Sequence, residues 1–391
     1  MTRRALIIDD GTAGYVLPAA RSLRRAGWSV GLGSAFPARR TRGSRAIDHR
    51  HTIPRPEKDL DAFVAGVNDA VAAEGYEVLI PADDVEMIAL SFVRDRLDAI
   101  VPYASHQTVM RAVDKLELTN AARAMGIAVP RTEVANEESI ASCPLPTMVK
   151  SRLHWDPETR ASVRHLLVQR LDDRTAVDRR VAEIEAAGGS ALLQEPLSGR
   201  QIALSIVADR GGDLVAVSAQ TTLGFSLRGP STRAVTIDPD PALVELVGDL
   251  VRDLRWFGLA NLQFFEPEGG RPHLIDWNGR LYGSLALAVG AGVELPAIWA
   301  RCAVGEPPGP RVTARPGVRF QELEQDMTRA RTQRSGGLAR DLFGTLAFAP
   351  RAVHTIWSAR DPLPAIRWGA TLLRQALRRG RGGSAGSDRA A

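Results

Sequence analysis

Hydrophobic and polar positions follow two regimes along the chain. In the first, short apolar runs are separated by amphipathic stretches. Ala5-Leu-Ile-Ile-Asp9, Gly27-Trp-Ser-Val-Gly-Leu32 and Val78-Leu-Ile-Pro81 read as strands. After Gly11-Thr-Ala-Gly14 an apolar helix runs to Ala26. Between Asp59 and Glu74, the residues Leu60, Phe63, Val64, Val67 and Val71 recur at helical spacing. Asp83-Asp84 opens another helix. Alternating strands and helices predict a parallel sheet with helices on both faces. Ser105 to Met125 reads as one helix, stopped by Gly126-Ile-Ala-Val-Pro130.

The second regime is richer in strands. Thr147-Met-Val-Lys-Ser151 is a short strand and Asp172 to Gly188 a polar helix. Ala191 to Leu197, Gln201 to Asp209 and Asp213 to Gln220 are strands, and Arg228-Gly-Pro-Ser-Thr-Arg233 is a basic loop before Val235-Thr-Ile237. Pro241 to Leu254 is a helix. Leu259-Ala-Asn-Leu-Gln-Phe-Phe265 and His273-Leu-Ile-Asp-Trp-Asn-Gly-Arg280 flank a Gly/Pro turn and predict a hairpin. Helices from Gly283 to Ala291 and Leu295 to Val304 follow. An antiparallel sheet with helices to one side is an α+β pattern. Pro307-Pro-Gly-Pro310 marks a boundary. Beyond it lie a charged helix from Phe320 to Arg334, a stretch of mixed character to Arg360, and a basic amphipathic helix from Pro364 to Arg379. Gly380 to Ala391 is rich in Gly, Ser and Arg and predicts disorder.

Composition changes this picture in three places. The chain has 391 residues, enough for several domains, and no apolar run reaches the length of a membrane span. Its two cysteines, Cys143 and Cys302, are too few for a disulfide framework or a zinc site, which suits a reducing cytoplasm. The net charge is +5, but residues 360–391 hold seven arginines and two aspartates, so 7 − 2 = +5 resides there. The rest of the chain is neutral, which argues against a nucleic-acid binder.

Lysine usage is the third. Of 50 basic residues only Lys58, Lys115 and Lys150 are lysines. Lysine is a compact point charge, whereas arginine is a planar fork. Lys58 sits at a polar helix start. Lys115 follows Asp114 on a helix. Lys150 lies on an otherwise apolar strand, where a charge is costly unless paired; a phosphate would pair it, and so would a route to the surface.

The hairpin carries the densest chemistry. Asp276, Asn278 and Arg280 sit at alternate positions of an extended chain and so share a face. Oxygen ligands at this spacing suit a hard cation such as Mg²⁺, and the arginine suits a transferring phosphoryl group. Gln263 on the partner strand could add a third oxygen beside Asp276. A strand with a polar exposed face is the alternative. Asp83 and Asp84 lie at a strand's carboxyl end, where open sheets bind ligands; they either meet a substrate amine or cap a helix. Gly11 to Gly14 lacks the full G-x-G-x-x-G pattern, which weakens a nicotinamide-dinucleotide oxidoreductase reading.

The order of these parts resembles the ATP-grasp superfamily, and most of all the large-subunit ATP-grasp modules of carbamoyl phosphate synthase. An open α/β domain is followed by a helix with Asp-Lys ending in Gly-Ile-x-Val-Pro, a strand lysine, Gln194-Glu195-x-Leu197-x-Gly199, Asn261-x-Gln263-Phe264, and a carboxylate-x-Asn-x-Arg strand. The resemblance covers about residues 1–305. It implies a preATP-grasp domain over 1–112, a helix plus lid over 113–190, and a catalytic subdomain over 191–306. A helical extension over 307–379 and a disordered basic tail over 380–391 follow.

By position, the resemblance implies that Lys115 and Lys150 contact ATP phosphates. Glu195 and Leu197 would meet adenine through their backbone, with Gln201 at the ribose. Gln263, Asp276 and Asn278 would hold Mg²⁺ or Mn²⁺, and Arg280 would face the γ-phosphate. Arg228 and Arg233 would grip an acidic substrate or simply face solvent. The lid segment Arg152-Leu-His-Trp-Asp-Pro-Glu-Thr-Arg160 lacks the family's glycines, leaving Arg152, His154 or Arg160 to cover the phosphates.

The implied activity is an ATP-dependent ligase of the cytoplasm, joining a carboxylate to an amine or thiol on a small metabolite or cell-envelope precursor. A decayed, non-catalytic nucleotide-binding module is the alternative. The basic helix suggests contact with a membrane surface or a protein, and a homodimer stays open.

Overall fold

The computed structural model describes residues 2–163, 166–226, 231–333 and 336–382, the side chains of 376–382 excepted. The first sheet contains β1 (Arg4–Asp9), β2 (Ser29–Ser34), β3 (His49–Thr52) and β4 (Val78–Pro81), all parallel, in the order β3-β2-β1-β4. Helices α1 (Val16–Arg25), α2 (Leu60–Glu74) and α3 (Asp84–Phe92) cover it. The central strand β1 and its neighbour β4 are almost continuously apolar and buried, whereas the edge strand β3 is polar and mostly exposed. The carboxyl ends of β1 and β4 place Asp9, Asp10, Asp83 and Asp84 at one edge.

One expected helix is two. α4 (His106–Val113) ends at Asp114, whose backbone is extended, and α5 (Lys115–Ala124) begins there. The Asp114 carboxylate accepts from the N–H groups of Leu116 and Glu117 at 3.0 and 3.2 Å. A short acceptor side chain thus outcompetes helix continuation and makes Lys115 the first residue of α5.

The lid is a separate antiparallel sheet. It comprises β5 (Thr132–Val134), α6 (Glu137–Ser142), β6 (Thr147–Ser151), β7 (Gln169–Leu171), α7 (Arg174–Ala186) and β8 (Ala191–Gln194), in strand order β5-β8-β6-β7. The expected boundary at 190 falls inside it. β8 pairs with both β5 and β6, with Leu193 opposite Glu133 and Val149, so the lid extends through Gln194. Conversely, Val109, Ala112, Leu118 and Ala122 of α4 and α5 pack into the main core rather than the lid's own small one.

The largest sheet has eight strands among the described residues. β9 (Arg200–Ala208), β10 (Leu214–Phe225), β11 (Ser231–Ile237), β12 (Gly258–Glu266) and β13 (His273–Asn278) run in the order β13-β12-β9-β10-β11. α8 (Pro241–Asp253), α9 (Leu285–Gly290) and α10 (Leu295–Ala303) accompany them. The segment after residue 307, expected to be a helical extension, instead completes this sheet. β14 (Val312–Thr313) pairs with β10, β15 (Arg319–Gln321) with β11, and β16 (Ala352–His354) with β15. The charged helix expected from Phe320 therefore starts later, as α11 (Leu323–Gln333), after a strand that buries Phe320. α12 (Leu338–Phe348) and α13 (Leu363–Gly382) follow. The expected disorder from 380 is not met before Gly382, and 383–391 lie outside the described residues.

A buried ion-pair cluster fastens α11 to the sheet. Asp326 accepts from Arg233 Nε at 2.6 Å, Gln321 Nε2 at 2.6 Å and Arg329 Nε at 2.8 Å. Removing one partner of such a cluster leaves buried charge uncompensated. Asp326→Ala is expected to destabilise the fold by about 3 kcal/mol, measured as a lower midpoint of urea unfolding.

Candidate functional site

The hairpin β12–β13 sets the first half of the site. In register, Gln263 stands opposite Asp276 and Asn261 opposite Asn278. The four alternate along their strands and so share one face of the sheet. Ser205 on β9 lies opposite Asn261 and accepts from its Nδ2 at 2.8 Å. Asn278 Nδ2 reaches Asp276 Oδ2 at 3.4 Å. Gln201 donates to Gln263 Oε1 at 3.5 Å and accepts from Thr222 Oγ1 at 2.9 Å. The result is a row of amides around a single carboxylate. No group of three or more His, Cys, Asp or Glu able to hold a metal occurs among the described residues. The row therefore fits a hard cation that takes few protein oxygens and fills the rest with water and phosphate, not an all-protein cage.

Lys150 enters from the lid. It is 5 % exposed, and its Nζ donates to the backbone oxygen of Ile275 on β13 at 3.4 Å. Burial, and then the nearby charge of Lys115, push the Lys150 ammonium down to about 7, while Asp276 pulls it back up. Among the described residues no carboxylate lies within ion-pair distance of it. Lys115 Nζ, at the start of α5, lies 3.3 Å from His154 Nε2. Two of the chain's three lysines thus converge beside the Asp276 row.

The third part joins the first sheet. β13 ends at Asn278, so Arg280 is not a third member of the alternating row. Gly279 allows a close approach here: a Cβ on it would sit 2.2 Å from Trp256, and its carbonyl accepts from Tyr103 Oη at 2.6 Å. Arg280 is aimed at the carboxyl end of β4. Its Nε and Nη2 donate to Asp84 at 3.0 and 3.3 Å, and its Nε lies 3.8 Å from Asp83. Asp84 Oδ2 is also 3.0 Å from His154 Nδ1. Burial alone would favour the neutral acid, but Arg280 and His154 override it and hold the Asp84 carboxyl well below the usual range. Asp83 caps α3 through the Asp84 N–H at 2.8 Å. Asp9, buried beside Asp10, is pushed up to about 7.

A chain of contacts therefore runs from Lys115 through His154 and Asp84 to Arg280. Of the expected set, Lys115, Asp83, Asp84 and Arg280 share this contact chain, while Gln201, Gln263, Asp276 and Asn278 form the row on the hairpin face with Lys150 at its edge. Glu195 and Leu197 follow β8 on the link between lid and main sheet. The Glu195 N–H donates to Arg131 O at 2.9 Å, and its Oε2 accepts from Arg131 N at 3.3 Å.

Other expectations fail. Arg233 lies on β11 rather than a loop, and Asp326 takes its fork, so it does not grip a substrate. Arg228 lies outside the described residues. Arg152 does not reach over the site: both Asp114 oxygens hold its Nε, at 2.7 and 2.9 Å. Gly11 serves the chain's own packing, since a Cβ on it would meet the Phe36 carbonyl oxygen at 2.5 Å. His154, expected with Arg152 and Arg160 as a residue to cover the phosphates, instead bridges Lys115 and Asp84, and Asn261 belongs to the site geometry although it had no role assigned from sequence. Its place as register partner of Asn278 was the available signal for Asn261.

Comparison with known proteins places this architecture. Residues 189–326 match the family described as ATP-grasp in the biosynthetic pathway with Ter operon. No curated protein sequence matches the chain. Among solved structures, an L-amino acid ligase from Bacillus licheniformis is similar at TM-score 0.60 and 15% identity, covering 78% of this chain and 74% of that one. An N5-carboxyaminoimidazole synthetase from Staphylococcus aureus is similar at TM-score 0.62 and 12% identity, over 85% and 86%. The biotin carboxylase domain of a 2-oxoglutarate carboxylase from Hydrogenobacter thermophilus, solved with MgADP, ADP and bicarbonate, has TM-score 0.61 and 13% identity, over 78% and 70%.

Proposed function

We propose, from the ATP-grasp fold that this chain has, that it is an ATP- and magnesium-dependent ligase. It would activate a small carboxylic acid as an acyl phosphate and pass the acyl group to an amine or thiol. The observation that carries this reading is the pair Lys115 and Lys150, two ammonium groups without carboxylate partners among the described residues, beside Asp276, Asn278 and Gln263. Two uncompensated cations next to a carboxylate–amide row fit a triphosphate and its divalent ion better than they fit each other. The similar structures include an amino acid ligase and an MgADP complex, which supports the same reading.

In this mechanism Lys150 and Lys115 neutralise phosphate oxygens, and the Glu195–Leu197 backbone meets the adenine. Asp276, Asn278 and Gln263 would hold Mg²⁺, which when bound offsets charge across the phosphates. Arg280, fixed by Asp84 and by the Leu281 carbonyl that its Nη1 meets at 2.8 Å, would offer its two remaining N–H groups to the transferring phosphoryl group and the incoming carboxylate. No protein nucleophile is required. The carboxylate oxygen attacks the γ-phosphorus, ADP leaves, and the amine or thiol then displaces phosphate from the acyl carbon. Incubation with ATP, Mg²⁺ and pools of amino acids and small acids tests this, read as ADP formation that needs both an acid and an acceptor. The glycine-free lid segment after Lys150, together with Gln201, an amide where the family usually has an acidic ribose ligand, favours one rival: a module that binds ATP without turnover. Tight ATP binding with no ADP from any pool would select that rival.

The position of Lys150 also predicts a pH dependence. Unfolded, a lysine keeps its proton to about 10.4; in the folded, nucleotide-free chain Lys150 loses it at about 7. Between those values the unfolded state binds more protons, so this group makes the free protein more stable as pH rises. A bound phosphate raises the Lys150 pKa again, so ATP binding above pH 7 takes up a proton. ATP affinity is then expected to fall by up to about tenfold per pH unit above 7. Calorimetric titration in two buffers of different ionisation enthalpy would detect that proton, and its absence in Lys150→Ala.

A further inference from the structure

We propose that α13 is a docking helix for an anionic membrane surface. One face of it already has a partner. Pro364 is buried, Trp368 Nε1 donates to Glu324 at 3.0 Å, and Arg40 stacks over the Trp368 ring at 4.9 Å. Just before the helix, Asp361 accepts from Arg21 Nε at 3.0 Å, Ser44 Oγ at 2.6 Å and the Arg45 N–H at 3.1 Å. The helix start is thus fixed to the body.

The opposite face is mostly exposed, with only Leu363 and Arg367 of its stripe and flank lying beside Gly43 of the body. Leu363, Ile366 and Leu373 are 40%, 59% and 62% exposed, and Ala370 is exposed between them. Their spacing of three and four residues makes one apolar stripe. Arg367 and Arg374, each one position past a stripe residue, are exposed along one flank. Trp357, six residues before Leu363, is 51% exposed and provides the aromatic anchor that favours the water–lipid boundary. The sequence of α13 contains five arginines and no aspartate or glutamate.

Charge selects the occupant. A nucleic acid would use the arginines and leave the apolar stripe in water. A second copy of the chain would bring two arginine-bordered helices together and repel. An anionic lipid surface meets both the stripe and its flank. No helix among the described residues is long and apolar enough to cross a membrane, so α13 would lie in the interface plane.

The test uses the full chain and vesicle co-sedimentation. Binding is expected to vesicles containing phosphatidylglycerol and not to phosphatidylcholine alone, and it should weaken at high salt. Ile366→Glu with Leu373→Glu, and separately Arg367→Gln with Arg374→Gln, should each weaken vesicle binding by about tenfold or more. All four positions face solvent, so melting temperatures should match the parent. Failure of the parent to bind anionic vesicles would overturn the proposal. So would binding indifferent to both double variants. A third contrary result is a parent dimer that the glutamate pair converts to monomer without any vesicle binding, which would assign the stripe to a second copy.

Discussion

Lys150→Ala is expected to lower ATP-dependent ADP formation by about 10³-fold while leaving the fold intact or slightly stabilised. The two effects have opposite signs for one reason. The ammonium is buried on β6 with only a backbone carbonyl at 3.4 Å, and the positive charge of Lys115 adds to its cost. Without nucleotide this residue destabilises the chain, so alanine relieves a penalty and leaves a modest cavity in exchange. With nucleotide, on the proposed function, it would supply charge where the transition state needs it. A structural lysine would behave otherwise: its loss would lower the melting temperature and leave turnover per folded molecule unchanged. Steady-state kinetics and a thermal melt on the same preparation separate the two.

The second large effect belongs to Asp276. Asp276→Asn retains the shape and the Gln263 neighbour across the hairpin but removes the only carboxylate in the row. Amide oxygens alone hold Mg²⁺ weakly, because a hard divalent cation gains most from charged oxygen. Turnover is expected to fall by about 10²-fold at moderate Mg²⁺, with the midpoint of the Mg²⁺ titration shifted upward. Mn²⁺ should restore part of the loss, since it accepts a wider range of ligands. A change in turnover with no shift in metal dependence would mean that Asp276 acts only on the hairpin's geometry.

Much of this site was legible before any coordinates. Period-two alternation and a Gly/Pro turn are local signals, so the β12–β13 hairpin and the pairing of Gln263 with Asp276 follow from short-range rules. Lysine scarcity singled out Lys115 and Lys150 for a chemical reason, the difference between a point charge and a fork. Arg280 was harder. Beside it Gly279 approaches Trp256 closely. That approach, the Tyr103 bond to the Gly279 carbonyl and the Asp84 pair all join segments far apart in sequence, so no local pattern announces them. Arg233 misled because a basic stretch after glycine and proline looks like a loop; its acidic partner, Asp326, lies 93 positions away. The final segment misled for a similar reason. β14, β15 and β16 are two or three residues long, too short for any periodic pattern, and they are strands only because β10, β11 and β15 itself offer them partners. The break at Asp114 was visible in principle, since an aspartate followed by a lysine and a glutamate is a common helix start.

In the proposed function Lys115, Lys150 and the Asp276 row together would receive a magnesium-bound triphosphate. Calorimetric titration of ATP into the full chain at pH 7, with and without Mg²⁺, tests it most directly when run beside Lys150→Ala and Asp276→Ala. The expected result is a single site that tightens with Mg²⁺, weakens by about tenfold or more in Lys150→Ala, and loses its Mg²⁺ dependence in Asp276→Ala. Absence of ATP binding to the parent, or equal binding by all three proteins, would contradict it.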